Sequence, residues 1–194
     1  FTIGRHPVHE DVVEEYSQKL AAKAKSLHVG NPAVDMCHLG PIINESQASR
    51  AEGLMQESIA MGATVLAGGT RDRLKFMPTV LTNVTPEMPI YAQETFGPVA
   101  PIVTFKTEEE AVALANGVDY GLVASVFTTN QTRAMTLSKK LNTGIVHVND
   151  QTIVHEVFGP NGGMGASGNG ARSGGPGTAE EYSQWQWVTV NDKV

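Results

Sequence analysis

The chain has 194 residues, 41% of them hydrophobic, 6% aromatic and 18% charged, with a formal net charge of −6, which is enough apolar material for a domain with a real core and excludes a disordered chain. Fourteen Lys and Arg against twenty Asp and Glu, with no basic cluster longer than Lys139-Lys140, leave nothing to neutralise a phosphate backbone, so nucleic acid is excluded as a partner. The longest apolar runs, such as Gly144 to Val146, are far too short to span a bilayer, and no secretory-leader pattern is present, so the expectation is a soluble, cytoplasmic protein without membrane contact.

From Glu10 to Leu27 the apolar positions Val12, Val13, Tyr16, Leu20, Ala24 and Leu27 recur every three or four residues, which predicts an amphipathic helix. Acidic Glu10, Asp11, Glu14 and Glu15 lead and Lys19, Lys23 and Lys25 trail, in accord with the helix dipole, and Glu15 stands one turn before Lys19. A loop follows from His28 to Pro41. Asn44 then caps a second helix with an apolar face of Ala51, Leu54, Met55, Ser58 and Ile59, which Gly62 ends. Ala63 to Ala67 and Thr79 to Val84 read as strands, and a Pro-bounded segment from Pro86 to Pro98 leads to a strand at Val99 to Phe105. Thr107 with Glu110 forms a capping box that opens a helix reaching Ala115. Leu122 to Thr128 is the next strand, Asn130 caps a helix carrying Ala134, Leu137 and Leu141, and Gly144 to Asn149 is a further strand. This alternation of strand and helix predicts an α/β fold with a parallel sheet and helices on its faces.

The last third differs. Nine of the twenty glycines fall between Gly159 and Gly177. A short helix at Thr178 to Ser183 and a strand alternating through Trp185 to Val190 close the chain. Two Trp residues are costly to leave in water, so this strand is expected to add to a sheet in another part of the polypeptide or in another subunit.

The chemistry visible in residue spacing is sparse. One cysteine, Cys37, excludes a disulfide framework and a thiolate metal cage. A hydrolytic role for it would draw on neighbouring His38 as base, but no oxyanion-stabilising element is identifiable nearby. The histidines are scattered, and no metal site is expected. Gly163-Met164-Gly165-Ala166-Ser167-Gly168 fits G-x-G-x-x-G, yet more loop follows where a helix is required, so close backbone packing is the better reason for these glycines.

The sharper element is Gln93-Glu94-Thr95-Phe96-Gly97-Pro98-Val99, a carboxylate and an aromatic in a Gly-Pro loop just before a strand. It resembles the E-x-F-G-P-V element of the NAD(P)-dependent aldehyde dehydrogenases. Val29-Gly30-Asn31-Pro32, Gly40-Pro41, Gly62-Ala63, Gly68-Gly69, Pro78-Thr79-Val80-Leu81, Tyr120-Gly121-Leu122, Thr143-Gly144 and Val148-Asn149 match that family in order, so the resemblance covers essentially the whole chain. His147-Val148-Asn149-Asp150-Gln151-Thr152 is similar to the branch acting on aromatic aldehydes of the benzaldehyde and vanillin type.

The resemblance implies the parallel Rossmann-like sheet of an aldehyde dehydrogenase catalytic domain over residues 1–168 and a C-terminal oligomerisation segment over 169–194. In the family the nucleophilic Cys closes a G-Q-x-C segment, and Gly4-Arg5-His6-Pro7-Val8-His9-Glu10 resembles the stretch immediately after that cysteine. The catalytic Cys is therefore expected just before Phe1, and the general-base Glu, the oxyanion Asn and the cofactor domain are expected upstream as well. Glu94 matches the carboxylate that accepts from the nicotinamide-ribose hydroxyls of NAD or NADP, and Phe96 the aromatic beside that ribose. Gln47 and Arg50 match a Q-x-x-K/R pattern that approaches the same ribose, while Asn149, Asp150, Phe158 and Asn161 fall near the substrate tunnel. Asn161 stands where relatives commonly carry an aromatic, which makes the pocket more polar, and Arg172 stands where many carry a Glu.

The resemblance supports two readings. In the first, the chain is part of an enzyme that oxidises an aromatic aldehyde through a cysteine thiohemiacetal and a thioester, is inactive alone, and forms a homodimer or homotetramer through Trp185 to Val190. In the second, it is a non-catalytic assembly module whose terminal strand pairs with a partner chain.

Overall fold

In a computed structural model, residues 3–154 and 156–192 are described. Phe1 and Val194, the outer limits of the two expected segments, lie outside the described residues. The backbone divides into two units, Phe1–Gly117 and Val118–Val194.

The first unit runs β1 (His6–His9), α1 (Val13–Ser26), α2 (Glu45–Ala60), β2 (Thr64–Ala67), β3 (Arg71–Asp72), β4 (Lys75–Phe76), β5 (Thr79–Thr82), α3 (Pro89–Ala92), β6 (Val99–Phe105) and α4 (Glu108–Asn116). Its main sheet has the order β1-β6-β5-β2. The β1–β6 and β5–β6 pairs are parallel as expected, while β2 joins antiparallel at the edge with a bulge between Val65 and Ala67.

Helix α1 begins at Val13 rather than Glu10. Residues 10–12 form a turn after β1, a strand not read from the sequence, and the Glu10 amide donates to the Phe105 carbonyl at 2.9 Å. Val8, Ala21, Ala24, Ala67, Val80 and Ile102 form a core between α1 and the sheet. Thr79, Leu81 and Val103, which alternate with these along the strands, are buried too, so both faces of the sheet are covered. Buried Ser58 ties α2 to α3: its hydroxyl donates to the Leu54 carbonyl at 2.8 Å and accepts from the Ile90 amide at 3.2 Å.

The caps read from the sequence are present. Asn44, Thr107 and Asn130 accept from the amides of Gln47, Glu110 and Arg133, and Gly62, at φ 114°, follows the end of α2. Glu110 reaches back to the Lys106 amide at 2.7 Å, one residue further than a capping box requires.

On β1, His6 Nδ1 and the Tyr16 hydroxyl are hydrogen-bonded at 2.7 Å. Burial lowers the His6 pKa from its usual 6.5 to about 4. The folded state thus favours the neutral ring, so this contribution to stability is complete above pH 6.5 and is lost as pH falls from 6.5 towards 4. Urea unfolding of the chain should show a midpoint that drops between pH 6.5 and 5, with a shallower drop in His6→Gln; equal slopes would contradict the burial of a neutral imidazole.

The second unit runs β7 (Tyr120–Gly121), β8 (Val123–Val126), α5 (Gln131–Ser138), β9 (Ile145–Val148), β10 (Met164–Gly165), a 3₁₀ turn at Gly175–Gly177 and α6 (Thr178–Glu181). Strands β8 and β9 pair in parallel around the α5 crossover, and β7 pairs antiparallel with β10. Strand β8 stops short of Thr128 because the Asn149 side chain takes over: its Oδ1 accepts from the Thr128 amide at 2.8 Å and its Nδ2 donates to the Thr128 carbonyl at 2.9 Å. Leu141 lies beyond α5, in a turn where its amide donates to the Ser138 carbonyl at 3.4 Å.

The clustered glycines serve close backbone approach. A Cβ on Gly144 would collide with the Gly162 carbonyl oxygen, and one on Gly168 with that of Gly163. Trp185 to Val190 does not form the expected strand within the described chain. Trp185 and Trp187 are each 90% exposed.

Candidate functional site

The first half of the site is built on the N-terminal turns of α2 and the loop between α3 and β6. Asn44 fixes the helix start, placing Gln47 and Arg50 one turn apart on one face. Gln47 Nε2 donates to the carbonyls of Thr95 at 2.7 Å and Phe96 at 3.4 Å, and Arg50 Nη1 donates to the carbonyl of Glu94 at 2.5 Å. Thr95 is buried. Its neighbours point outward: Phe96 is 61% exposed at φ 44°, and no described hydrogen bond or ion pair engages the half-buried Glu94 carboxylate. The structure thus brings the four residues assigned to the cofactor into one cluster, with Gln47 and Arg50 directed at loop backbone.

The four residues assigned to the substrate are dispersed along the second unit. Both polar ends of the Asn149 amide are engaged by Thr128. Asp150 Oδ1 accepts from the Gln151 amide at 2.8 Å, and Phe158 is 86% exposed. Asn161 exchanges backbone hydrogen bonds with Ser173, at 2.6 and 2.9 Å. Of the four, Asn161 lines a cavity of about 250 Å³ whose wall includes β9 through His147, together with Val154, Gly159 and Pro160. Arg172 Nη1 donates to the carbonyls of Gly163 and Ala171 at 3.0 and 2.9 Å, so it braces the glycine loop.

The sequence reading assigned no individual role to two further residues. Ser125 and His147 are register partners on β8 and β9, and Ser125 Oγ and His147 Nε2 are buried without a hydrogen-bond partner among the described residues. The only signal was a polar residue inside each of two apolar strands, Val123-Ala124-Ser125-Val126 and Ile145-Val146-His147-Val148.

Cys37 lies half-buried in the loop before α2. His28 Nε2 is bonded to Asp35 Oδ2 at 2.6 Å and His38 Nδ1 accepts from the His28 amide at 3.0 Å, so these ring nitrogens serve the loop. Among the described residues no group of three or more His, Cys, Asp or Glu is placed to hold a metal, and no helix is long and apolar enough to cross a membrane.

Comparison with known proteins is decisive about kinship. The aldehyde dehydrogenase family profile matches residues 1–188. The chain is 50% identical over 190 residues to the benzaldehyde dehydrogenase [NAD(+)] of Pseudomonas putida, covering 98% of this chain and 39% of that protein. It is 42% identical over 194 residues to the vanillin dehydrogenase of an Amycolatopsis species, covering 100% of this chain and 40% of that protein. The lactaldehyde dehydrogenase structure from Escherichia coli superposes with a TM-score of 0.88 at 34% identity, over 95% of this chain and 39% of that one. The chain thus spans about two-fifths of the length of the relatives it matches. With a profile match over nearly its whole length and a parallel α/β sheet to carry it, the chain belongs to the aldehyde dehydrogenase family.

Proposed function

We propose that this chain is the part of a dehydrogenase that holds the nicotinamide ribose of NAD or NADP and contributes to the substrate passage, in an enzyme that oxidises an aromatic aldehyde to the carboxylic acid. The observation that carries the reading is the anchored Glu94-Thr95-Phe96 loop, which offers an unengaged carboxylate and an exposed ring side by side. These residues fit a ribose. An ionised carboxylate only accepts, which suits a diol, and an aromatic face suits the sugar or the ring next to it. The cofactor, when bound, accepts the hydride that leaves the substrate. Likeness to benzaldehyde and vanillin dehydrogenases, at 50% and 42% identity, supports an aromatic substrate.

The thiol that attacks the aldehyde comes from outside these 194 residues. Cys37 sits on a loop organised by His28, Asp35 and His38, with no described hydrogen bond reaching its sulfur. On the substrate side, Asn161, His147 and Glu156 give the cavity a polar lining. Trp185, Trp187, Val188 and Val190, all strongly exposed, support a further role as the strand that joins subunits of a homo-oligomer.

The purified chain is expected not to reduce NAD⁺ with benzaldehyde above the buffer rate, whereas the longer polypeptide carrying the upstream thiol should. Turnover by the 194-residue chain alone would overturn the assignment of the nucleophile.

A further inference from the structure

The hydrogen bonds from Gln47 and Arg50 end on the main-chain oxygens of three consecutive residues, Glu94, Thr95 and Phe96. Such a contact holds the path of the loop whatever its side chains do. This loop has reason to need holding. Phe96 is at φ 44°, in the left-handed region that a bulky residue adopts with strain, and its exposed ring is not packed in a way that would keep it there. The neighbouring turn is seated against α2, since a Cβ on Gly97 would stand 3.3 Å from the Ala51 methyl. The base of the clamp is also fixed. Asn44 caps the helix at 2.9 Å, and Arg71 bridges Glu45 at 2.7 Å and Glu52 at 2.8 Å along its first two turns.

We propose that Gln47 and Arg50 are positioning residues that hold the Glu94–Phe96 backbone in the conformation presenting the carboxylate and the ring to the nicotinamide ribose. The proposal rests on the cofactor reading of Glu94 and Phe96. Its consequence is that removing either donor loosens the loop in the absence of cofactor and weakens cofactor binding with it. Gln47→Glu is the isosteric probe: it sets carboxylate oxygen against two carbonyls and removes the donor. Arg50→Ala removes the other donor, and Arg50→Lys restores one.

The test combines amide hydrogen exchange over residues 93–99 of the cofactor-free chain with NAD⁺ affinity of the longer polypeptide. Gln47→Glu and Arg50→Ala should each speed exchange at 94–97 by about fivefold or more and raise the NAD⁺ Kd by a similar factor, as for one lost hydrogen bond, with Arg50→Lys returning both towards the parent. Exchange in β5 and β6 should stay unchanged; if Arg50→Ala loosens those strands too, Gln47→Glu decides. Unchanged exchange at 94–97 overturns the clamp whatever the affinities. Faster exchange with unchanged NAD⁺ Kd overturns the cofactor reading of the loop and the proposal with it.

Discussion

On the proposed cofactor role, replacing Glu94 with alanine should raise the NAD⁺ dissociation constant by about 10- to 150-fold, the effect of removing about 1.5–3 kcal/mol of charge-assisted hydrogen bonding. The size reflects the site. The carboxylate has no described internal partner to compete with a ligand, and the backbone behind it is held by Arg50 at 2.5 Å, so little ordering remains for binding to supply. Glu94→Gln, which exchanges one acceptor for a donor, should fall between the parent and the alanine variant. Titration calorimetry with NAD⁺ reads all three. Equal affinities, with exchange at 94–97 unaltered, would show that this carboxylate meets no ribose.

Gly144→Ala should destabilise the unit that begins after Gly117 by about 3 kcal/mol, because its new methyl would meet backbone that cannot rotate away. The added Cβ collides with the Gly162 carbonyl oxygen and stands 3.3 Å from the Gly163 Cα. Gly144 itself lines the cavity shared by β9 and Asn161. Gly53 supplies the opposite sign. It lies inside α2 with open space where its Cβ would be, and Gly53→Ala should stabilise the chain by about 0.5–1 kcal/mol through backbone entropy alone. Urea unfolding, with exchange followed separately over residues 118–192, measures both. A Gly144→Ala variant as stable as the parent would mean that the glycine loop does not approach β9 this closely.

Much of the fold could be read from local chemistry. Asn44, Thr107 and Asn130 mark helix starts because a capping oxygen acts on an amide two or three residues away. Glu15 and Lys19 meet one turn apart, at a distance of 2.5 Å, for the same local reason. The elements that escaped are those defined by distant partners. β1 exists through its pairing with β6, nearly a hundred residues away, and β7 through β10. The β3–β4 pair has two-residue strands around Arg73 at φ 52°, too short to show a period. In the other direction, Trp185 to Val190 has the alternation of a strand but pairs with no described strand of its own chain.

The site divides in the same way. An ordered motif proposes Glu94 and Phe96, and a second one Gln47 and Arg50. That the latter two reach loop carbonyls could not be read, since it depends on how α2 and the loop pack. Asn149 illustrates the converse: the motif assigns it to the substrate side, but its side chain is engaged by Thr128. Ser125 and His147 went unread because only the β8–β9 register makes them neighbours.

These residues are proposed to hold cofactor and substrate for a thiol supplied from upstream, and the reading frame preceding Phe1 tests that proposal most directly. The expected sequence is Gly-Gln-x-Cys abutting Phe1, with loss of aldehyde oxidation when that Cys is changed to Ser in the full-length protein. A frame that opens with an initiating Met at this point, or that carries no cysteine just upstream, would contradict it.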